Sequence, residues 1–155
     1  MKVADLAVAN GGALLVTVGL GSCVAIALHD AQAKVGGLAH VLLPSTSMSQ
    51  DRENKAKFPS TAVPLLCERM QALGARAGRI RAKIVGGASM FTSLLSATGL
   101  QIGERNVAAT RAALERAGIP IVAQEVGGDF GRSVYFHVHD GRLVVKSLKL
   151  GNVVL

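Results

Sequence analysis

A thiol and an imidazole lie seventeen positions apart near the start of this 155-residue chain. Cys23 follows Thr17-Val18-Gly19-Leu20-Gly21-Ser22, an apolar run that enters a glycine-flanked bend. His40 lies within Gly36-Gly37-Leu38-Ala39-His40-Val41-Leu42-Leu43-Pro44. The thiolate is the nucleophile of cysteine chemistry, and a free thiol is only a few per cent ionised near neutrality. An imidazole within reach takes the proton and stabilises the resulting ion pair, so the two together form an activated nucleophile suited to a carbonyl carbon. The bend would add backbone N–H donors for a tetrahedral oxyanion, with Gly21 and Ser22 the positions nearest the thiol. Gly86 and Gly87 close a later apolar run and are the other candidates for oxyanion or substrate binding. No Gly-Lys-Ser/Thr follows Gly86-Gly87 or Gly127-Gly128, so both pairs read as close-packing turns and not as phosphate cradles.

Two short strands must bring the pair together. Val24 to Leu28 and Val35 to Leu43 are apolar and rich in β-branched residues, and the polar segment His29 to Lys34 between them reads as a turn started by Asp30. A turn centred on Ala31 and Gln32 would place Cys23 directly opposite His40. Opposed residues of an antiparallel ladder have Cβ atoms roughly 4.5–5.5 Å apart. A slip of one residue would send the two side chains to opposite faces, so the chemistry depends on the register.

The remaining elements follow from periodicity and punctuation. Val3 to Ala9 and Ala13 to Val18 read as strands joined hairpin-fashion through Asn10-Gly11-Gly12. Ser45 to Lys57 has no periodicity and reads as a mobile loop, placed after His40 as a lid or substrate contact. A helix opens at Pro59 with Ala62, Leu65, Leu66, Arg69, Met70 and Leu73 at helical spacing and stops at Gly74. Arg81 to Val85 reads as a buried strand and Phe91 to Thr98 as a link. A second helix follows Gly103-Glu104-Arg105-Asn106, with Val107, Ala108, Leu114 and Ala117 on its apolar face, and ends at Gly118 and Pro120. Ile119 to Val126, Ser133 to His139 and Leu143 to Leu148 complete seven or eight strands, the last two joined by the hairpin signal Asp140-Gly141. Strands at both ends and helices between them give an α+β class: a layered α/β sandwich with a mixed, largely antiparallel sheet and two main helices. Residues 1–155 read as a single catalytic domain.

Composition narrows the function classes. Half of the residues are hydrophobic and 17% are charged, a globular balance. The net charge of +7 attracts acidic partners. Nucleic acid is disfavoured, because there are one Tyr, four Phe and no Trp to stack bases, and the basic residues are dispersed. Two cysteines are too few for a disulfide framework and fit a reducing, cytoplasmic setting. The start of the chain has the look of a lipoprotein signal ending at Cys23, but Asp5, Asn10, Gly11 and Gly12 interrupt it and an apolar strand follows at once. No run reaches the roughly 18 apolar residues of a membrane span. Ser22 lacks the Gly-x-Ser-x-Gly setting of a serine nucleophile. Cys67, on a helical apolar face, reads as packing. His137 and His139 alternate on one strand beside Asp140 without a third ligand, so no metal site and no cofactor is expected.

Five segments, in order along the chain, resemble the CheD family, the chemoreceptor glutamine deamidases of bacterial chemotaxis. They are Thr-Val-Gly-Leu-Gly-Ser-Cys (17–23), Gly-Gly-Leu-Ala-His-Val-Leu-Leu-Pro (36–44), Lys-Ile-Val-Gly-Gly-Ala-Ser-Met-Phe (83–91), Ile-Gly-Glu-Arg-Asn (102–106) and Gly-Gly-Asp-Phe-Gly-Arg (127–132). The resemblance implies a fold like the toxin deamidases and a Cys-His-Thr constellation. Cys23 would be the nucleophile, His40 the base and later the acid, and Thr17, otherwise an ordinary strand residue, the group that orients the imidazole. It also implies glutamine side chains on the cytoplasmic helices of methyl-accepting chemotaxis receptors as substrate and the CheC phosphatase as a partner in some lineages; whether methylated glutamate is a further substrate stays open. The chain departs from the family's Tyr-Ala-Asp after the polar segment, with Phe58-Pro59-Ser60 in its place. The alternative reading is a non-catalytic adaptor that docks on the receptor or on CheC.

Overall fold

The computed structural model describes residues 1–89 and 102–155 of the chain. In chain order the elements are β1 (Asp5–Asn10), β2 (Leu14–Leu20), β3 (Val24–Asp30), β4 (Val35–Val41), α1 (Pro59–Ala72), β5 (Arg81–Gly86), α2 (Ile102–Arg116), β6 (Ile121–Val126), β7 (Arg132–His137), β8 (Leu143–Ser147) and β9 (Gly151–Val154). This is an α+β architecture. The strands divide between a five-stranded sheet, β1-β4-β3-β5-β6, and a four-stranded sheet, β2-β7-β8-β9. All pairs are antiparallel except β5 with β6.

Three layers account for the sequence patterns. β3 and β4 are apolar without alternation because both of their faces are covered. One face carries Val24, Ile26, Leu28, Ala39 and Val41 against Leu66 and Met70 of α1 and Val107 and Leu114 of α2. The other carries Cys23, Ala25, Ala27 and Leu38 against Leu20, Val134, Phe136, Leu143 and Val145 of the second sheet. β7 alternates because only one of its faces looks inward. Burying each such large side chain contributes about 1.5–3 kcal/mol. The buried face of α2 is Gly103, Asn106, Val107, Thr110, Ala113 and Leu114, whereas Ala108 and Ala117 are exposed. Arg132 of β7 forms a two-pronged ion pair with Glu125 of β6 (Nη2 to Oε1, 2.9 Å), which ties the two sheets at one end.

Several sequence expectations are corrected. β1 and β2 do not form a hairpin: β1 pairs with β4, while β2 crosses to the other sheet and pairs with β7. The second helix begins at Ile102, so Gly103 to Asn106 form its first turn. β9 is a ninth strand that the sequence reading did not include. The segment 45–57 contains two short 3-10 turns capped by Ser45 and Asn54, and its end is held by the Leu42 and Leu43 amides donating to the Lys57 carbonyl (2.9 and 3.2 Å). The link expected over 91–98 lies outside the described residues.

Candidate active site

The β3–β4 turn sets the geometry of the site. Asp30 pairs with Val35, so the loop is Ala31 to Lys34, centred between Gln32 and Ala33. The Asp30 carboxylate accepts from the Gln32 and Ala33 amides (3.0 and 3.1 Å), and Lys34 takes a left-handed φ of 53°. Arg79 and the Arg76 amide also donate to this fully buried carboxylate. Burial pushes the Asp30 carboxyl up, but these donors outweigh it and hold it at about 2. The ladder is therefore displaced by two residues from the one expected, and Ala25, not Cys23, stands opposite His40. A shift of two preserves the face. Cys23 lies diagonally from His40, and both look toward the second sheet.

Thr17 arrives from that second sheet. The register of β2 on β7 is broken between Thr17 and Leu20, with Val18 and Gly19 bulged outward and Gly19 at φ 75°. Residues three apart on a regular strand face opposite ways. The bulge lets Thr17 and Leu20 both point inward. The Thr17 hydroxyl contacts His40 Nδ1 at 2.7 Å and donates to the Met1 carbonyl at 3.1 Å. A hydroxyl has one proton. Spent on Met1, it leaves the oxygen to accept from Nδ1–H, which makes Nε2 the basic nitrogen of the neutral ring. His40 is fully buried, and its Nε2 has no hydrogen-bond partner among the described residues.

Both members of the pair are held uncharged. Burial pushes the Cys23 thiol up, opposed by its own backbone amide. Burial, and after it the positive charge of the chain-terminal ammonium, pushes His40 down to about 4. Burial thus favours the neutral thiol and the neutral imidazole over the ion pair that the residue types alone suggest.

The glycine candidates separate into two roles. The Gly87 N–H donates to the Cys23 carbonyl (2.8 Å) and the Ala88 N–H to the Gly21 carbonyl (2.9 Å), so Gly87 is a tie behind Cys23 and its amide is engaged. Gly86, at φ 115°, runs so close to β3 that a Cβ there would overlap the Cys23 carbonyl. Gly21 and Ser22 lie on the approach to Cys23, and the Cys23 N–H donates to no backbone acceptor among the described residues. Asn106, unremarked in the sequence beyond its motif, is fully buried and reaches the same strand ends from α2. Cys67 lines a separate cavity of about 300 Å³ with Pro64, Gln71 and Ile80, its thiol pushed up by burial.

The family model for CheD chemotactic sensory transduction matches residues 42–147. The chain belongs to the CheD family. It is 46% identical over 149 residues to the probable chemoreceptor glutamine deamidase CheD of Caldanaerobacter subterraneus subsp. tengcongensis, covering 96% of this chain and 92% of that one. It is 47% identical to the probable chemoreceptor glutamine deamidase CheD 2 of Geobacter metallireducens (95% and 91% covered). The corresponding CheD protein of Moorella thermoacetica is 44% identical (94% and 88% covered). The matched CheD segment contains Gly86, Gly87 and Asn106, while Thr17, Cys23 and His40 precede it.

Proposed function

We propose that the chain is a protein-glutamine deamidase acting on the cytoplasmic helices of chemoreceptors, with Cys23 as nucleophile, His40 as base and acid, and Thr17 as the group that fixes the imidazole. The observation that carries this reading is the bond from His40 Nδ1 to a Thr17 oxygen already committed as a donor elsewhere. It leaves an unpartnered basic nitrogen on the face that carries the thiol.

Cys23 Sγ attacks the carboxamide carbon while its proton passes to His40 Nε2, giving a tetrahedral oxyanion. The Cys23 N–H, with Gly21 and Ser22 beside it, is the nearest donor set for that charge. Collapse breaks the C–N bond, and ammonia leaves with the proton from Nε2, yielding a thioester. Water then loses a proton to Nε2 as it attacks the thioester. The thiolate departs and recovers that proton, and the product is a glutamate side chain. His40 acts as base, acid, base and acid in turn, a cycle suited to an imidazole that is neutral at rest. A methyl ester would enter by the same attack with methanol as leaving group.

Among the described residues no helix is long and apolar enough to cross a membrane. The positive net charge suits a docking domain for acidic receptor helices in the cytoplasm, and a CheC-type phosphatase is a further partner. The test is a receptor cytoplasmic fragment incubated with the protein: ammonia release and a one-dalton gain at glutamine, both abolished by Cys23→Ala. Turnover retained by Cys23→Ala overturns the reading. Binding without turnover, unchanged on loss of Cys23 and His40, favours an adaptor.

A further inference from the structure

The β3–β4 ladder ends at Val24 opposite Val41, one residue short of the nucleophile. Beyond that rung the two strands are joined by a side chain of α2. Asn106 Nδ2 donates to the Ser22 carbonyl at 2.9 Å and to the Leu42 carbonyl at 3.1 Å. One carbonyl immediately precedes Cys23 and the other lies two residues past His40. A primary amide has two N–H donors, and here each is spent on one strand. The peptide bond is planar and trans, so the direction of the Ser22 C=O fixes that of the Cys23 N–H, which points the opposite way. With the Cys23 carbonyl held by the Gly87 N–H (2.8 Å), the peptide units on both sides of the nucleophile are pinned.

We propose that Asn106 is a positioning residue for the deamidation: it closes the open end of the β3–β4 pair, sets the separation of Cys23 from His40, and aims the Cys23 N–H at the developing oxyanion. The proposal rests on the deamidase reading above. It assigns Asn106 an effect on turnover beyond its share of stability, because its two bonds end on the peptides that carry the site. Thr110 is the internal comparison. It lies one turn along α2, is equally buried, and its hydroxyl has no partner among the described residues.

The experiment compares Asn106→Leu, the milder Asn106→Ser and the control Thr110→Val. It measures kcat and KM on a receptor fragment and the rate of Cys23 alkylation by iodoacetamide as a function of pH. Removing the oxyanion alignment costs on the order of 10²-fold in kcat, so Asn106→Leu should lose about that much with KM within about threefold, and its alkylation midpoint should move to higher pH. Asn106→Ser, with one remaining donor, should fall between. Thr110→Val should keep the wild-type profile. Equal behaviour of the Asn106 and Thr110 variants, or failure of both Asn106 variants to fold, overturns the proposal in favour of a purely structural tie. A wild-type alkylation profile unaltered by His40→Asn would overturn the deamidase reading itself, an outcome distinct from the other two.

Discussion

Acidification should destabilise this protein through His40 in a window set by burial. The folded ring titrates at about 4 against an ordinary value of 6.5, so between those limits the unfolded chain binds a proton that the folded chain refuses. Stability rises with pH wherever the unfolded state binds more protons. The contribution of His40 is therefore complete above about pH 6.5 and is lost as the pH falls toward 4. A shift of this size corresponds to about 3 kcal/mol, at 1.36 kcal/mol for each pH unit. The perturbation is His40→Asn, whose side-chain amide can still donate to Thr17 Oγ1 but does not titrate. Urea unfolding of both proteins at half-unit intervals from pH 7.5 to 4.0 gives the difference in unfolding free energy. That difference should change by about 3 kcal/mol across the range, with the wild type losing ground in acid. Asp30 does not confuse the result, because its carboxyl is held at about 2 and its contribution fades only below the ordinary carboxylate range, as pH falls toward 2. Parallel curves for the two proteins would refute the burial argument.

Other outcomes follow from the same geometry. Thr17→Val removes the oxygen that accepts from Nδ1–H, frees the ring to take the other tautomer, and should lower kcat for ammonia release by roughly 100-fold or more, whereas Thr17→Ser should stay within about tenfold. Asp30→Ala strips the β3–β4 turn of its acceptor and leaves the Gln32, Ala33 and Arg76 amides without theirs, and should cost roughly 2 kcal/mol or more in urea unfolding. Gly86→Ala forces a side chain against the Cys23 carbonyl at a φ of 115°, and should cost roughly 2 kcal/mol or more while slowing Cys23 alkylation out of proportion.

Much of the fold was legible from the chain because its strands and helices differ in period and its breaks carry glycine or proline. The neighbourhood of Cys23 and His40 was legible, since approximate spacing suffices to set the start of β3 beside the end of β4. The register was not. Asp30 closes the turn locally through Gln32 and Ala33, but its carboxylate is buried under donors 46 and 49 positions away, Arg76 and Arg79, and nothing local announces that burial. The pairing of β1 and β2 was misread for a related reason. Asn10-Gly11-Gly12 marks a reversal of the chain, but a reversal does not say whether the next strand joins the same sheet or a facing one. The neutral resting state of the site was likewise hidden, as desolvation belongs to the packed molecule and not to a thiol and an imidazole considered alone. Asn106 was hidden because the second helix was read as starting after it; with the helix extended back to Ile102 it becomes a polar residue on the buried stripe of α2, and its place in the segment 102–106 was the signal available in the sequence.

The imidazole and its orienting hydroxyl belong to different sheets, and no covalent neighbour holds them in line. Their 2.7 Å contact exists only while the sandwich is fully closed. Under the proposed mechanism, catalytic competence would read out interlayer alignment: a slight parting of the layers, by heat, denaturant or a partner wedged at the rim, should silence turnover while each sheet keeps its own ladder. Inactivation should precede the loss of circular dichroism, and the gap between the two midpoints measures how tightly the halves are latched.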